Sequence, residues 1–155
     1  MAETHQAHSD NGREGSAVLR LIVTIVTPTG TRAEYNVRHL RAPGVEGHFG
    51  VLPGHIPFMT MLKTGALILD LDNGQKIWAI SGGFAEVHNN IVTILAETAE
   101  PADSIDLDRA ESSRQRALKR LAERNDIQNF DASRANASLS RALNRINILS
   151  GSGHN

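Results

Sequence analysis

The sequence contains no cysteine, few aromatic residues and no long hydrophobic segment. Aromatic side chains make up 4% of its 155 residues, and cysteine is absent. Without thiols the chain forms no disulfide, thiolate zinc site or cysteine nucleophile, and this composition is typical of a reducing compartment. No apolar run approaches the roughly 18 residues that a membrane-spanning helix needs. The formal net charge of −1 gives no general attraction to nucleic acid or to anionic lipid.

The first residues also lack an apolar run, which indicates that they are not a secretory signal. We therefore expect a soluble, cytosolic protein. The polar composition of residues 1–18 predicts a disordered arm in which His5 and His8 are solvated rather than bound to a metal. Composition divides the remaining chain into a β-rich part at residues 19–100, a helical part at residues 103–149 and a flexible tail at residues 150–155.

β-Branched runs separated by turn residues indicate that the β-rich part is a β-sandwich. Asn73-Gly74 and Asn89-Asn90 each separate two such runs, and both pairs favour two-residue hairpin turns. Several runs are apolar at consecutive positions. Because consecutive residues of a strand point to opposite faces, this pattern favours two packed sheets over one sheet with a solvated face. The predicted strands cover residues 19–27, 33–41, 48–52, 66–71, 76–80, 84–88 and 91–95.

The apolar spacing becomes helical after Pro101, and no further glycine or proline occurs before position 151. Asp103 or Ser104 is the predicted N-cap of a first helix over residues 105–124. After a break in the pattern, Asp131 is the predicted N-cap of a second helix. Two helices joined by a short loop form an antiparallel hairpin. The predicted fold class is thus an N-terminal β-sandwich followed by a C-terminal α-helical hairpin.

Alanine dominates the predicted contact between the two helices. The second helix repeats apolar residues at steps of three and four, namely Ala132, Ala135, Leu139, Ala142, Ile146 and Leu149. The first helix has a weaker stripe of Leu107, Ala110, Ala117 and Leu121, interrupted by Arg114. Alanine lets helices approach closely but buries little area, at about 25 cal/mol per Å². We therefore expect a hairpin of marginal stability that separates easily from the body and docks again.

The sequence carries no recognisable catalytic motif. It has neither the GxxxxGK[ST] loop that cradles phosphates nor a GxGxxG turn after a strand. Ser81 does not lie in a GxSxG elbow. The histidines of the β-rich part lack the close spacing of a metal site; they are His39, His48, His55 and His88. We therefore predict neither catalytic nor metal-binding residues.

One group of polar residues in the helical part has a spacing that suggests a ligand site. Asp106 and Arg109 are neighbours on the first helix, next to the small Ala110. Arg141 and Arg145 are a like-charged i, i+4 pair, which is unfavourable by roughly 0.2–0.5 kcal/mol unless an anion lies between them. Folding of the hairpin brings the two groups together as a cationic site. An ordinary solvated helix surface explains the same residues without a ligand, so both interpretations stay open at this point.

These residues and a set of loop segments together resemble the epsilon subunits of F-type rotary ATP synthases. The most specific segment is residues 42–57, APGVEGHFGVLPGHIP. Shorter matches occur in the same order at residues 26–30 (VTPTG), 82–87 (GGFAEV), 92–97 (VTILAE), 105–110 (IDLDRA) and 141–146 (RALNRI). The resemblance covers roughly residues 19–149, which is most of the chain.

The resemblance implies a ten-stranded sandwich and a helical hairpin at the foot of the rotor of a proton-driven ATP synthase. Proteins of this family are not catalytic; they couple rotation of the membrane ring of c subunits to ATP synthesis. Their sandwich binds the gamma subunit and the c-ring. In bacterial members the hairpin also extends into the alpha/beta hexamer and inhibits hydrolysis. For this chain the resemblance implies a peripheral position at the cytoplasmic face of the cell membrane, reached only through the complex, and no nucleic-acid partner.

The resemblance also implies site residues. Some members bind regulatory ATP in the folded hairpin through an Ile/Leu-Asp-x-x-Arg-Ala motif and basic residues of the second helix, and none requires a cofactor. The implied ATP site here consists of Glu100, Ile105, Asp106, Arg109, Ala110, Arg141 and Arg145. The loop expected to dock other subunits contains His48, Phe49, Val51, His55 and Ile56. His48 stands where the family commonly has an acidic residue.

Two other functions compete with a rotary subunit. A free-standing nucleotide sensor shares the hairpin site but leaves the apolar loop residues without a partner, namely Phe49, Val51, Ile56 and Phe58. A β-sandwich enzyme acting on sugars or metals predicts a convergent cluster of histidines and carboxylates. The spacing of these residues along the chain offers no such cluster.

Overall fold

Ten β-strands and two α-helices make up the structure, a computed structural model that describes residues 19–123 and 130–151. The predicted N-terminal arm with His5 and His8, Arg124 and the last four residues lie outside the described residues. The strands are β1 (Leu21–Thr27), β2 (Gly30–Val37), β3 (His39–Gly44), β4 (Gly47–Val51), β5 (Phe58–Met61), β6 (Gly65–Leu71), β7 (Gly74–Ser81), β8 (Phe84–His88), β9 (Ile91–Leu95) and β10 (Thr98–Pro101). The helices are α1 (Leu107–Ala122) and α2 (Ala132–Leu149).

The strands form two five-stranded sheets packed face to face, which confirms the predicted β-sandwich. The first sheet has the order β2-β1-β9-β8-β5, and the second has the order β10-β7-β6-β3-β4. Alternate residues of each strand meet between the sheets; Val23, Leu67 and Ile94 are completely buried there. Apolar side chains that alternate along a strand bury one face of each sheet, and this burial is the main source of stability of a sandwich.

The two predicted hairpin turns have different outcomes. Asn89 and Asn90 have φ angles of 49° and 63°, so these residues form the predicted two-residue turn between β8 and β9. The turn predicted at Asn73-Gly74 lies one residue earlier in the structure. Leu71 pairs with Gly74, so the loop is Asp72-Asn73 and Gly74, with φ of 126°, already belongs to β7.

The prediction of a single strand over residues 33–41 is wrong. The segment contains most of β2 and the first half of β3, and these two strands belong to different sheets. The chain changes sheets at Arg38, whose backbone N–H donates to the Asp70 carbonyl at 2.8 Å. No glycine or proline marks this corner, which is why the pattern looks continuous. The short strands β5 and β10 were not identified from their own residues.

The first helix begins later and with a different cap than predicted. Asp103 and Ser104 lie in a separate 3₁₀ turn (Ala102–Ser104), and Asp106 is the N-cap of α1. Its carboxylate accepts the backbone N–H of Arg109 at 2.9 Å. The predicted cap of α2 is confirmed, because Asp131 accepts a backbone N–H at 2.9 Å from the residue three positions later.

Small residues form the contact between α1 and α2, as the sequence predicted. Ala110 and Ala117 of α1 and Ala135 and Ala142 of α2 are at most 4% exposed. Other predicted members of the seam are not part of it, because Leu107, Ala132 and Leu149 are exposed. The end of α2 instead buries the neighbouring Ile148, which turns toward the sandwich rather than toward α1.

The hairpin packs against the outer face of the second sheet and makes a third layer. Ile148 contacts a small apolar cluster on β6 and β7 that contains Ala66, Ile68 and Ala79. This layer explains why consecutive residues of β6 are buried: one face packs on the other sheet and the opposite face packs under the hairpin. Next to the cluster, the side-chain amide of Asn144 donates to the carbonyl of Gly65 at 3.0 Å.

Candidate functional site

A cleft lies where β10, the start of α1 and the C-terminal half of α2 meet. Its volume is about 450 Å³, within the roughly 300–1,000 Å³ that is usual for small-molecule sites. Five of the seven residues predicted for the ATP site line it: Glu100, Asp106, Arg109, Ala110 and Arg145. The docked hairpin therefore brings together residues that are up to 45 positions apart in sequence.

Asp106 and Ala110 shape the side of the cleft that α1 forms. The carboxylate of Asp106 serves as the helix cap, so its hydrogen bond to the Arg109 backbone fixes the first turn of α1. Ala110 is only 3% exposed and faces α2, which leaves room in the cleft. The side chain of Arg109 lies at the surface of the cleft, and Arg109 is exposed overall.

An ion pair connects α2 to β10 across the cleft. Arg145 Nε donates to Glu100 Oε2 at 2.6 Å, and both side chains are about 30% exposed. Sequence spacing left open whether an anion lies between Arg141 and Arg145. The carboxylate of Glu100 already neutralises the charge of Arg145, so that charge requires no such anion. This pair is also a direct electrostatic contact between the hairpin and the sandwich.

The other two predicted residues lie beside the cleft rather than in its lining. Ile105 packs against the apolar cluster under the hairpin, next to Ala102 and Ile148. Arg141 is half-buried on α2, one helical turn before Arg145. Their assignment to an ATP site stays a prediction.

The cleft has a third arginine that the sequence did not indicate. Arg32 of β2 lines it, although β2 belongs to the first sheet and every other lining residue comes from β10, the 3₁₀ turn, the N-cap of α1 or the helices. Ile25 pairs with Ala33 and Val26 pairs with Thr31, so Arg32 is the extra residue of a β-bulge. A bulge depends on pairing with the neighbouring strand, and nothing in the sequence of β2 itself marks it.

The loop that was expected to dock other subunits is only partly available at the surface. Val51 is completely buried in the core between the sheets, so its prediction as a docking residue is corrected. Phe49 and His55 are half-buried and pack edge-on against Phe58, with ring centroids 5.3 and 5.8 Å away. Ile56, in contrast, is 73% exposed. The exposed members of the predicted set are therefore Ile56 and His48.

The outer face of the first sheet carries an apolar row that the sequence interpretation missed. Met61, Phe84 and Leu95 lie opposite one another on β5, β8 and β9, and each is more than 40% exposed. Next in the row, Val26 of β1 pairs with Leu95. Contiguous apolar surface of this kind marks interaction sites on proteins. Residues 91–95 include apolar residues at consecutive positions, a pattern that suggests burial on both faces, but only every second residue of β9 is buried.

Within the described residues, histidines and carboxylates nowhere gather into a group of three that would hold a metal ion. Neither α1 nor α2, the two described helices, is long and apolar enough to cross a membrane.

The architecture defines a class of proteins in which a β-sandwich carries a C-terminal helical hairpin, and the comparisons with known proteins specify the family. Residues 20–102 match the β-sandwich domain of the ATP synthase delta/epsilon chain, and residues 103–150 match its long α-helix domain. The ATP synthase epsilon chain of Nitratidesulfovibrio vulgaris is 45% identical over 128 residues, which is 83% of this chain and 94% of the relative. That of an Exiguobacterium species is 45% identical over 127 residues, or 81% and 93% of the two chains.

Two solved structures share the fold. A chain of the Euglena gracilis mitochondrial ATP synthase is similar with a TM-score of 0.68 and 23% identity, covering 88% of this chain and 85% of that one. A chain of the Tetrahymena thermophila mitochondrial ATP synthase gives a TM-score of 0.54 and 15% identity, covering 87% and 97%. Together with the domain matches, the epsilon-chain relatives show that this chain belongs to the ATP synthase delta/epsilon family. Such a chain is a structural and regulatory subunit of the enzyme and is not catalytic by itself.

Proposed function

We propose that the chain is a rotor subunit of the central stalk of a proton-driven ATP synthase, and that its sandwich docks onto the gamma subunit and the c-ring. The observation that carries this proposal is the exposed apolar row of Met61, Phe84 and Leu95, with Ile56 exposed in the predicted docking loop. A free-standing protein gains nothing from such a surface. The similar Tetrahymena structure, which is described as a central stalk and c-ring, supports the same position. Attachment through these partners would hold the chain at the cytoplasmic face of the membrane.

Cysteine crosslinking tests this proposal cleanly because the chain has no cysteine of its own. Met61→Cys and Ile56→Cys each place one thiol on the proposed docking surfaces, and Asn73→Cys places one in an exposed turn of the other sheet as a control. Each variant is assembled into the synthase and treated with a photoreactive maleimide. We expect the first two to capture the gamma or c subunit and the control to capture neither.

Purification of the tagged chain from gently solubilised membranes gives an independent measurement. Recovery of gamma, alpha, beta and c subunits together with the chain supports the rotor assignment. A chain recovered without any of them contradicts the rotor assignment and favours the free-standing nucleotide sensor. Equal crosslinking from the Asn73 control contradicts the assignment of the docking surface to the apolar row and Ile56.

The hairpin is the regulatory element of this proposal. In the docked form it is held to the sandwich by the Ile148 cluster, the Asn144 hydrogen bond and the Arg145 ion pair. In the extended form it enters the alpha/beta hexamer and inhibits hydrolysis. The basic residues of α1 would then face the hexamer; they include Arg114, Arg116, Lys119 and Arg120, of which Arg114 pairs with Glu111 in the docked form. The small number of docking contacts supports an exchange between two states.

The cleft under the hairpin would hold regulatory ATP, and no other cofactor is required. It has the size of a ligand site, and three arginines line it. A nucleotide that binds only the docked hairpin shifts the population toward that form by its differential affinity. Calorimetry with millimolar ATP tests the site directly. We expect Arg109→Ala to weaken binding at least tenfold, because a charge-assisted hydrogen bond contributes roughly 1.5–3 kcal/mol.

Arg120→Ala is the matched control, since Arg120 is exposed on the same helix and does not line the cleft. Absence of heat at millimolar ATP, or equal affinity of the Arg109→Ala variant and the wild type, would end the nucleotide proposal. It would leave the rotor assignment intact.

A further inference from the structure

Arg32 occupies a position in the cleft that regular strand geometry does not give. Along β2 the side chains alternate between the two faces of the first sheet, but the bulge inserts Arg32 between the paired residues Thr31 and Ala33. Bulges change the direction of a side chain and often occur beside binding sites. The bulge lies on an edge strand, and Arg32 lines the cleft together with Glu100 of the second sheet.

The three arginines of the cleft differ in their partners. Arg145 is paired with Glu100. Among the residues that the structure describes, the guanidinium groups of Arg32 and Arg109 form neither an ion pair nor a side-chain hydrogen bond. The second carboxylate of the cleft, that of Asp106, is occupied as the cap of α1. Two arginines with unoccupied donors therefore border one cavity, one from the first sheet and one from the hairpin.

We propose that Arg32 is a phosphate-binding residue of this cleft. The planar guanidinium offers a fork of donors that matches two phosphate oxygens at once. This inference rests on the proposed ATP site. It adds a phosphate contact from β2 to the contacts made by the motif residues at the start of α1. A triphosphate held by Arg32 and Arg109 connects the first sheet to α1, so that undocking of the hairpin requires release of one of the two contacts. The ligand then opposes undocking directly, beyond any effect on the contacts between the helices.

Calorimetric titration of the full chain with ATP measures the role of Arg32. We expect Arg32→Gln to lower the affinity about tenfold and Arg32→Lys to retain part of it, because the ammonium keeps the charge but not the fork. Lys76→Gln removes one positive charge from an exposed site on β7 that does not line the cleft, and it is expected to leave the affinity unchanged. Hydrogen exchange of the α2 amides is measured with and without ATP on the same proteins. ATP should slow this exchange in the wild type and slow it less in Arg32→Gln.

The outcomes separate this inference from the site on which it rests. If the wild type binds ATP and Arg32→Gln binds equally well, Arg32 is not a ligand residue, and the ATP site itself stands. If Lys76→Gln weakens binding as much as Arg32→Gln does, the effect comes from net charge, and the assignment is overturned. If the wild type does not bind ATP, both the site and the inference fail. A circular dichroism melt of each variant verifies that the sandwich is folded in every titration.

Discussion

Removal of the charge on Glu100 should weaken the docking of the helical hairpin onto the sandwich. The carboxylate accepts the Nε–H of Arg145 at 2.6 Å, and this is the one ion pair between hairpin and sandwich among the described residues. The substitution Glu100→Gln keeps the shape of the side chain and removes its charge. It therefore changes the electrostatic part of the docking contact with little change in packing.

The burial of the two side chains sets the size of the effect. Two charges about 4 Å apart attract by about 4 kcal/mol at the effective dielectric constant of about 20 that suits protein surfaces. Desolvation and side-chain ordering cancel much of this attraction, and fully exposed pairs retain about 0.2–1 kcal/mol. Glu100 and Arg145 are 31% and 30% exposed, between a surface pair and a buried one. We expect a net coupling of about 1–2 kcal/mol, which is a factor of about 5–30 in the docking equilibrium.

Native-state hydrogen exchange detects this change because an undocked α2 lacks tertiary packing, and a helix of this length without such packing opens its hydrogen bonds more often. In Glu100→Gln the α2 amides should exchange about tenfold faster, while the amides of β8 and β9 keep their wild-type rates. Arg145→Gln and the double variant complete a double-mutant cycle that isolates the pairwise coupling. The Arg20–Asp72 pair has the same 2.6 Å distance, but the side chain of Asp72 is 71% exposed. The control Asp72→Asn should therefore leave α2 exchange unchanged.

An α2 exchange rate in Glu100→Gln within twofold of the wild-type rate would refute the reasoning. It would mean that apolar contacts alone hold the hairpin, or that the ion pair gains no more than its groups lose on desolvation.

Two further predictions concern local structure. Asp106→Ala should lower the stability of α1 by about 1 kcal/mol, whereas Asp106→Asn retains the cap for the Arg109 N–H. Circular dichroism measures the helicity of both variants and so reports the loss of the cap. The ATP affinity of Asp106→Asn reports the effect of removing the charge from the cleft. Gly83→Ala should destabilise the sandwich by several kcal/mol, because a Cβ there would overlap the carbonyl of Leu95 at a φ of +98°. Gly54→Ala, at a φ of +84° with open space around it, should lower stability in thermal unfolding by only about 1 kcal/mol from backbone strain.

The features that the sequence predicted correctly are those that local chemistry determines. Asn89-Asn90 forms its turn because both residues tolerate positive φ, and Asp131 caps α2 because its side chain reaches the next turn. The alanine contact between the helices follows from spacing alone. Each of these features depends on residues within one or two turns of the chain, so no knowledge of distant partners is required.

The features that it missed depend on partners far along the chain. Arg32 enters the cleft through a bulge whose geometry depends on β1, and Val51 is buried because the other sheet covers it. The sequence also does not show whether the outer apolar face of a strand is covered by another element or exposed to solvent. Ile68 is covered by the hairpin, whereas Leu95 is 44% exposed on the free face of the first sheet. Both occur in strands that are apolar at consecutive positions, and only the tertiary arrangement separates a buried face from an exposed one.

The energetic scale of the docked hairpin explains how a small ligand would control it. The interhelical alanines bury little area, so separation of α1 from α2 is opposed weakly. Docking to the sandwich adds one buried isoleucine, Ile148, at about 1.5–3 kcal/mol, and one half-buried ion pair of about 1–2 kcal/mol. The hydrogen bond from Asn144 to the Gly65 carbonyl adds about 0.5–1.5 kcal/mol. The entropy of ordering the hairpin opposes these contacts. A ligand at 100 times its dissociation constant stabilises the form that it binds by about 2.7 kcal/mol. This contribution is similar in size to a single docking contact, so a ligand in the cleft would shift the docking equilibrium substantially.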